Sequence, residues 1–461
     1  MNQVLLWLVV LVGFVAIVLE AVAVRKRVLK GFTVSGNTPP ASQGPSPDRI
    51  SDNVLTLTRQ SRLSRPNYLK SMRQNNRVNG HMFAIVPLIE EEISAEFVAE
   101  ITFGKQTFLA VVDTGSSDTW LAETGFACES DVTGDAEPQS ACLFGPTYNP
   151  NMSCTFTKLP DLHFYIEYGD GEYLFGFMGT EKVTFGGISV KNQEVGVVNI
   201  AAWDGDGVTS GLVGLAFSAL TSAYAGANET ENTTFPVVYK PIFTNMYERN
   251  LLAPLFSFAL VRGNQSFGGL LALGGIPDVP HSPIFASTPI QILYINGMAF
   301  DGDETTPVYT FYTVDLGGFV YEGSNLTKYN SSSFLTSMFS SSAGTLQAIV
   351  DTGTTLLYVP SAIANASNAL FSPPAVYNST AGAFTVPCDA IAPKFGVSIG
   401  RETFYINAKD LIFDNGDTTC VSGIVDGGEG PYILGDVFLK NVLAVFDLGA
   451  MEMRFAAREC Y

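Results

Sequence analysis

Two stretches of this chain repeat each other. Ala110–Leu121 reads AVVDTGSSDTWL and Ala348–Val359 reads AIVDTGTTLLYV, so each has an apolar run, then Asp-Thr-Gly, then two hydroxyl residues. Downstream of each copy comes an apolar-apolar-Gly segment, at Leu212–Gly214 and at Ile433–Gly435. A single Asp-Thr-Gly motif would be read first as a turn that ends a strand. Two matched copies, each with a partner segment, predict a chain built from two related lobes.

Asp113 and Asp351 occupy equivalent positions in the two copies. If each stands at the end of a strand and the two lobes meet there, the carboxylates can share one proton and hold a water molecule between them. Like charges that close cannot both ionise, so one pKa falls and the other rises. The ionised carboxylate then acts as a general base on water while the protonated one polarises a carbonyl. The repeat therefore predicts acid–base hydrolysis by two carboxylates, with no cofactor.

The residues that follow each aspartate suit this chemistry. Gly115 and Gly353 let the backbone approach the carboxylates and donate N–H bonds to them. Ser116 and Thr354 can supply hydroxyl bonds that hold the two carboxyl groups coplanar. The next hydroxyl residue in the second copy, Thr355, is also a candidate for the substrate site.

Composition and charge exclude several other classes of protein. Charged residues make up only 15% of the chain, with 33 Phe and 44 Gly, which fits neither a coiled coil nor a disordered chain. The three histidines lie far apart in sequence, which argues against a zinc site or a Ser–His–Asp hydrolase. The net charge of −19 argues against a nucleic-acid partner. From His81 onward, short β-branched and aromatic runs predict an all-β body, with short helices near Pro236–Arg249 and Ser361–Phe371.

With these motifs, the chain resembles the pepsin-like aspartic endopeptidases, and the fungal members in particular, over roughly His81–Tyr461. The resemblance implies an all-β, bilobal fold with a deep substrate cleft between two related β lobes. It implies that Asp113 and Asp351 are the catalytic pair, and that the segments beginning at Leu212 and Ile433 pass beneath them. The opposed pKa values of such a pair are a known property of this family.

A second motif supports the resemblance. Ile166–Glu172 reads IEYGDGE between two β-like runs, and such a glycine turn is a hairpin signal in itself. The resemblance implies a flap that closes over substrate, with Tyr168 covering the substrate and hydrogen-bonding toward Trp120. The alternatives are an edge-strand aromatic for Tyr168 and ordinary core packing for Trp120. The flap residues predicted to approach the main chain of the bound peptide are Gly169, Asp170 and Gly171.

The chain also departs from the family pattern. Thr119 stands where a larger apolar residue is usual, and Glu172 stands where the flap usually has a small residue. Both changes bear on subsite preference, and Glu172 is predicted to favour basic substrate positions. The two aspartates lie further apart in sequence than the resemblance leads us to expect, and the extra residues are predicted to form polar loops at Ala127–Ala141 and Leu220–Phe235.

The N-terminal region differs from the rest of the chain. An apolar run from Val4 to Leu19 predicts a signal peptide over residues 1–24, with a membrane anchor as the alternative. Residues 25–80 mix Pro, Ser, Asn and Arg, which predicts a linker or propeptide more than a core. Residues 81–275 and 276–461 are then the N-terminal and C-terminal catalytic lobes.

Charge is also unevenly distributed. The first 80 residues hold 11 of the 25 basic residues and 3 of the 44 acidic ones, which leaves 14 basic and 41 acidic residues in the rest of the chain. A basic leader on an acidic body suggests a zymogen in which the leader lies across an acidic cleft at neutral pH and is released on acidification. A disordered basic tail is the plainer alternative.

Six cysteines allow 15 pairings in principle. The family resemblance implies that Cys388 pairs with Cys420 in the second lobe and that Cys128 pairs with Cys142 after the first catalytic strand. Cys154 and Cys460 then remain, either paired with each other or free. Together with eight Asn-x-Ser/Thr sequons, the cysteines suit a glycosylated protein of the secretory pathway.

Three classes of function remain open at this point. The leading prediction is a secreted acid endopeptidase that hydrolyses peptide bonds between bulky apolar residues, acts as a monomer and binds pepstatin-type inhibitors. The second is a non-catalytic binding protein on the same fold, which the complete set of motif residues disfavours. The third is a protease held on a membrane by its N-terminal run. Vacuolar delivery is the alternative to export.

Overall fold

The computed structural model of this chain describes residues 49–61, 95–168, 171–226, 236–262, 267–295, 298–299, 308–321, 346–379, 382–414, 419–428 and 430–458. They are mostly strands, joined by turns and a few short helices, which confirms the predicted all-β class. The described residues all belong to one compact unit, Gly44–Tyr461. None of the helices among them is long and apolar enough to cross a membrane.

The strands follow one another at short intervals, as the β-branched and aromatic runs predict. In the first part of the chain they are β1 Asn53–Ser61, β2 Ala95–Phe103, β3 Gln106–Asp113, β4 Thr119–Glu129, β5 Ala136–Glu137, β6 Thr157–Glu167, β7 Tyr173–Phe185, β8 Ile188–Ala202, β9 Gly211–Gly214, β10 Ala223–Ala225, β11 Leu255–Leu260, β12 Phe267–Leu273 and β13 His281–Pro289. In the second part they are β14 Tyr294–Ile295, β15 Met298–Ala299, β16 Thr313–Leu316, β17 Gly318–Tyr321, β18 Leu346–Val350, β19 Leu357–Val359, β20 Val376–Asn378, β21 Ala383–Val386, β22 Phe395–Ile399, β23 Glu402–Ile406, β24 Ile412–Phe413, β25 Cys420–Ser422, β26 Ile424–Asp426, β27 Tyr432–Leu434, β28 Val442–Asp447 and β29 Glu452–Arg458.

Helices are few and short. The α-helices among the described residues are α1 Ile242–Glu248, α2 Ser361–Asn368 and α3 Asp436–Leu439, and the 3-10 turns are Gln139–Cys142, Pro150–Met152, Ser218–Leu220 and Ala408–Leu411. The positions of α1 and α2 confirm the two helices predicted from the sequence. The predicted polar loop Ala127–Ala141 is partly ordered, because it contains the short strand β5 and the start of the first 3-10 turn.

The largest sheet joins both halves of the chain. Its order is β10-β6-β7-β8-β4-β9-β3-β2-β1-β12-β11-β28-β29-β13, with β5 paired to β4. The two strands nearest the C-terminus, β28 and β29, therefore lie among strands of the first half. Strand β28 is buried along its whole length, as is β11 beside it, and both are mainly apolar, with Ser257 in β11 and Asp447 at the end of β28 as the polar exceptions, because both faces are covered.

Smaller sheets build the rest of the second half. They have the orders β16-β18-β27-β19-β26, β17-β22-β23 and β20-β21-β25-β24, and β14 pairs with β15. The first of these sheets carries the second Asp-Thr-Gly copy at the end of β18. A single large apolar core includes side chains from both halves of the chain, such as Phe256 on β11 and Phe446 on β28, whose rings stack with centroids 4.7 Å apart.

Strand β1 lies within the segment predicted to be a linker or propeptide. It pairs antiparallel with β12, where Leu55 faces Leu271, and with β2, where Arg59 faces Phe97. Leu55 and Leu57 are buried in the large core, whereas Thr56 between them is exposed. Part of the segment predicted to suit a linker or propeptide more than a core therefore contributes to the core, because apolar and polar residues there alternate with the period of a half-buried strand. Its role as a propeptide stays a prediction.

Candidate active site

The first aspartate is placed by three neighbouring strands. Strand β3 ends at Asp113 and runs parallel to β9, with Asp113 opposite Gly214. Strand β4 then returns antiparallel to β9, with Trp120 opposite Leu212. The backbone between β3 and β4 turns sharply, and the amides of Leu215 and the residue after it bond the carbonyls of Asp113 and Ser116, each at 2.8 Å. This pairing fixes the strand end from which the carboxylate projects.

The second aspartate is placed in the same way. Strand β18 runs parallel to β27, with Val350 opposite Leu434, and Asp351 follows directly. Strand β19 returns antiparallel to β27, with Tyr358 opposite Ile433. The two copies of the sequence repeat therefore have the same local topology, with the apolar-apolar-Gly segment beside each aspartate as the resemblance implies.

Each carboxylate is held by the residues of its own copy. Asp113 Oδ1 accepts a bond from the backbone N–H of Gly115 at 2.7 Å, and its Oδ2 accepts one from the hydroxyl of Ser116. Asp351 Oδ1 accepts a bond from the N–H of Gly353 at 2.9 Å, and its Oδ2 accepts one from Thr354 Oγ1 at 2.7 Å. The predicted donors thus reach both carboxylates. In both aspartates, therefore, Oδ1 accepts from a glycine amide and Oδ2 accepts from a hydroxyl.

The two carboxylates face each other across the lobes. A Cβ atom placed on Gly115 would lie 2.6 Å from Asp351 Oδ2, and one on Gly353 would lie 2.5 Å from Asp113 Oδ1. Each glycine therefore leaves space that the opposite carboxylate occupies, and no larger residue fits. Both aspartates are more than nine-tenths buried. Burial, followed by the charge of Asp351, raises the pKa of Asp113 well above its usual range, against the lowering effect of its hydroxyl and amide donors.

Thr114 and Thr352 form a second pair of bonds between the lobes, which the sequence reasoning did not anticipate. Thr114 Oγ1 donates to the carbonyl of Val350 at 3.1 Å and accepts from the N–H of Thr352 at 2.9 Å. Thr352 Oγ1 donates to the carbonyl of Val112 at 2.9 Å and accepts from the N–H of Thr114 at 3.1 Å. The signal was available, because a threonine stands at the same place in both copies.

Three other predicted site residues are buried near the catalytic strands. The side chains of Leu212, Ile433 and Thr355 are 4%, 3% and 2% exposed, respectively. The carbonyl of Thr355 accepts a bond from the N–H of Val437 at 3.0 Å, at the start of α3. These positions favour support of the catalytic strands over direct contact of these side chains with substrate.

The predicted flap is a hairpin between β6 and β7. Ile166 pairs with Leu174, and the turn is closed by bonds from Tyr168 N to the Glu172 carbonyl at 2.8 Å and from Gly171 N to the Tyr168 carbonyl at 3.0 Å. Gly171 has a φ of +96°, which only glycine adopts without strain. The predicted tip residues Gly169 and Asp170 lie outside the described residues.

Tyr168 and Trp120 meet as predicted. The indole N–H of Trp120 donates to the hydroxyl of Tyr168 at 2.8 Å. Trp120 is fully buried, and its ring packs edge to face against Trp203 at 5.3 Å. Trp203, which no sequence motif marked, also packs edge to face against Tyr168 and stacks on Phe144. The base of the flap is therefore an aromatic cluster, and the two readings of Trp120, as flap partner and as core residue, both apply.

Glu172 differs from its predicted role. Its side chain is only 3% exposed, and Oε1 accepts a bond from the N–H of Asp204 at 2.7 Å. The carboxylate is therefore turned into the lobe and serves as a backbone acceptor, which removes the reason to expect that it attracts basic substrate side chains. The other departure, Thr119, is also buried, at 1% exposure.

Both predicted disulfides are present. Cys128 pairs with Cys142 and closes the loop between β4 and the first 3-10 turn, and Cys388 pairs with Cys420 across the second half. Cys154 is exposed, and Cys460 lies outside the described residues, so their pairing stays a prediction. Within the described part of the chain, the one group with metal-type ligands consists of Asp414 and the two sulfurs of the second disulfide. Since the disulfide uses both thiolates, this group is a poor metal site.

Comparison with known proteins gives a consistent result. The model of the family described as eukaryotic aspartyl protease matches residues 96–458. A probable aspartic-type endopeptidase of Aspergillus fumigatus is 42% identical over 437 residues, 92% of each chain, and rhizopuspepsin-2 of Rhizopus niveus is 27% identical over 97% of each chain. The crystal structure of an aspartic proteinase from Irpex lacteus superposes with a TM-score of 0.57 at 20% identity, covering 79% of this chain and 94% of that one. The fold is thus the predicted bilobal one.

Proposed function

This chain belongs to the eukaryotic aspartyl protease family and is an aspartic-type endopeptidase, and on that premise we propose that Asp113 and Asp351 are its catalytic pair. The observation that carries the proposal is the mutual placement of the two carboxylates. Each is bonded by a glycine amide and a hydroxyl of its own copy, and each lies against the glycine of the other copy. Protein or peptide chains are the substrates that the family implies.

In the proposed mechanism the pair holds one proton and one water molecule. The raised pKa of Asp113, caused by burial and by the charge of Asp351, keeps one carboxyl protonated at acid pH. The ionised carboxylate takes a proton from the water as it attacks the peptide carbonyl, and the protonated carboxyl donates a hydrogen bond to the developing oxyanion. The carboxyl that took the proton from water then passes it to the amide nitrogen, the C–N bond breaks, and the products are a carboxylic acid and an amine. No covalent acyl intermediate forms, and no cofactor takes part.

The bonds around the pair support this sequence of proton transfers. The amide and hydroxyl donors stabilise negative charge on whichever carboxylate is ionised, and they keep both carboxyl groups in place when the proton moves. The Thr114–Thr352 bonds hold the two strand ends at a constant separation. Such preorganisation avoids moving the catalytic groups during the reaction.

The flap and the aromatic cluster below it form the proposed substrate side of the site. Tyr168, fixed by its bond to Trp120, would cover the bound peptide, and the backbone near Gly171 would bond its main chain. Trp203 and Phe144 give this side an apolar character, which suits substrates with bulky apolar residues at the scissile bond.

The test is hydrolysis of an unfolded protein such as denatured haemoglobin between pH 2 and pH 8, with and without pepstatin. We expect activity only in acid, sensitive to pepstatin, and lost by at least about 1,000-fold in Asp113→Asn and in Asp351→Asn. Activity that survives in either variant would overturn the assignment of the pair. If the parent were most active at neutral pH and both variants were inactive, the assignment of the catalytic pair would stand, but the acid mechanism would be contradicted.

We further propose that the protein is made as a zymogen. Strand β1 supports this, since it places part of the basic segment 25–80 between β2 and β12, next to the acidic body. Cleavage downstream of β1 and release of the strand on acidification would then be coupled. Purified full-length chain should be inactive at neutral pH and should yield an active form starting near residue 80 after acid treatment. Full activity of the uncut chain at neutral pH would contradict the proposal.

The proposed route is the secretory pathway, with export favoured over vacuolar delivery, and the proposed active form is a monomer. Three of the predicted sequons have asparagines in the described residues, and Asn151, Asn365 and Asn378 are all exposed. The disulfides Cys128–Cys142 and Cys388–Cys420 also suit an oxidising compartment. Mass analysis of the protein recovered from culture medium, before and after removal of N-linked glycans, tests the route. Recovery only from membranes with detergent would instead favour the anchored alternative.

A further inference from the structure

A third aspartate lies in the loop that carries the first catalytic one. Asp118 stands between β3 and β4, and its side chain is completely buried. Its Oδ1 accepts a bond from the N–H of Ser222 at 2.9 Å and another from the hydroxyl of Tyr239 at 2.5 Å. Its backbone carbonyl accepts a bond from the N–H of Gly214 at 2.8 Å, beside the bond from Leu215 to the carbonyl of Asp113. Asp118 therefore holds the C-terminal end of the loop between β3 and β4, residues 114–118, which we call the catalytic loop.

The other carboxyl oxygen of Asp118 has no such support. Oδ2 is buried and makes no hydrogen bond of normal geometry to any residue that the structure describes, although the Ser222 hydroxyl is close enough to lower the pKa of Asp118. Three tyrosines interact electrostatically with Asp118: Tyr239 beyond β10, Tyr224 on β10, and Tyr168 at the base of the flap. None of the three supplies a positive charge, and the buried His163 on β6 stacks on the far partner, Tyr224, with ring centroids 5.6 Å apart. Burial therefore raises the pKa of Asp118 to about 6, against the lowering effect of the Ser222 and Tyr239 donors.

We propose that Asp118 is a positioning residue for Asp113, which holds the catalytic loop in its working geometry while its carboxyl is protonated and loosens that loop when it ionises. The proposal rests on the catalytic role proposed for Asp113. In the protonated state Oδ1 keeps both of its bonds and no charge is buried. In the ionised state a negative charge with one unsolvated oxygen lies in the loop, which favours any opening that admits water.

The tryptophans provide a direct readout. The sequence has three, Trp7, Trp120 and Trp203, and the last two pack against each other beside the flap. Trp120 lies two residues after Asp118 and donates a hydrogen bond to Tyr168. The charge of Asp118 is one of the causes that raise the pKa of Tyr168. A Trp7→Phe background removes the tryptophan in the predicted signal segment. Fluorescence of the acid-treated protein in that background then reports on the cluster next to Asp118.

The experiment compares fluorescence between pH 4 and pH 8 in three variants and their parent. We expect the parent to show a transition centred near pH 6, and Asp118→Asn to lose it, because the amide mimics the protonated carboxyl. Tyr239→Phe should move the transition to higher pH, because it removes a donor that lowers the pKa of Asp118. The matched control is Tyr148→Phe, which breaks a buried bond of the same kind, from Tyr148 to Glu181, elsewhere in the lobe. It should leave the midpoint unchanged.

Loss of activity at neutral pH is the second readout. After incubation at pH 7 and return to pH 4, Asp118→Asn should retain activity longer than the parent. We expect its inactivation to be slower by about 10-fold to 100-fold, because burial raises the pKa of Asp118 to about 6. The proposal is overturned if Asp118→Asn keeps the fluorescence transition, or if Tyr239→Phe leaves its midpoint in place. The second variant decides the matter if the first does not fold. The assignment of Asp113 as catalytic is tested separately: activity of Asp113→Asn at pH 4 would contradict that assignment without bearing on the fluorescence transition of Asp118.

Discussion

Thr114 and Thr352 each donate a hydroxyl hydrogen bond to the strand of the other lobe and accept one from the other's backbone N–H. Both side chains are buried, so the four bonds, of 2.9 to 3.1 Å, are shielded from water. They directly connect the two strand ends that carry the aspartates. The separation of the catalytic carboxylates is therefore set by a symmetric contact between lobes as well as by the fold of each lobe.

Replacement of Thr114 by Val should weaken this contact. The change keeps the shape of the side chain but leaves the N–H of Thr352 and the carbonyl of Val350 without their partner, at about 1–3 kcal/mol for each buried group. We expect a lower free energy of unfolding and a fall in kcat larger than any change in KM. Chemical denaturation and steady-state kinetics measure both. Thr102→Val, which removes an exposed hydroxyl–hydroxyl bond between Thr102 on β2 and Thr107 on β3, should change neither.

Replacement of Gly115 by Ala should separate the carboxylates. The added Cβ would lie 2.6 Å from Asp351 Oδ2, a contact that forces one of the two groups to move. Because a displacement of about 1 Å can cost about 100-fold in rate, we expect kcat to fall by at least that factor. Gly317→Ala is the control, since its nearest neighbour would be an ordinary contact at 3.4 Å. Equal kinetics of the two variants would show that the glycine is not needed for close approach.

Replacement of Tyr168 by Phe should affect catalysis more than stability. It removes the acceptor for the indole N–H of Trp120 and frees the base of the flap to move. We expect kcat/KM to fall by about tenfold, the effect of one lost hydrogen bond of roughly 1.4 kcal/mol. The control is Tyr165→Phe on the same hairpin, whose hydroxyl bonds only the exposed side chain of Glu167 among the described residues. A similar loss in both variants would argue against a specific role for the Tyr168–Trp120 bond.

The raised pKa of Asp113 predicts how stability depends on pH. An acid whose pKa is higher in the folded state contributes stability that is fully present below its unfolded pKa of about 3.9 and is lost as the pH rises through the folded value. Asp113→Asn removes the ionisation, so its melting temperature should fall less between pH 4 and pH 7 than that of the parent. Asp161→Asn, on the exposed part of β6, serves as the surface control. A parallel decline in all three proteins would contradict the prediction.

The sequence repeat was sufficient to predict two related lobes and the position of both aspartates, because each copy contains a complete strand, turn and partner segment. The all-β class was predicted from the β-branched and aromatic runs, and the bilobal fold with a cleft from the family resemblance. The family resemblance also predicted the disulfides Cys128–Cys142 and Cys388–Cys420, which the structure confirms. Strand β1 was missed because the composition of residues 25–80 as a whole is that of a linker and outweighed the short alternating run within it, and because the burial of β1 depends on distant partners in β2 and β12.

Some site residues could not be predicted from local sequence for the same reason. The burial of Glu172 follows from a bond to Asp204, and that of Asp118 from bonds to Ser222 and Tyr239, all of them far away in the chain. Trp203 joins the flap through packing alone. By contrast, the roles of Thr114 and Thr352 could have been inferred, since the repeat itself places identical side chains next to both aspartates.

The position of β28 and β29 in the largest sheet has a consequence for biosynthesis. Strand β11 pairs with β28, yet the ribosome synthesises about 180 residues between them. During that interval one edge of β11 has no partner and is open to pairing with other chains. A chain released before Val442 would contain both aspartates but could not close the sheet. It would be a target for quality control and aggregation, and not a slightly shortened protease.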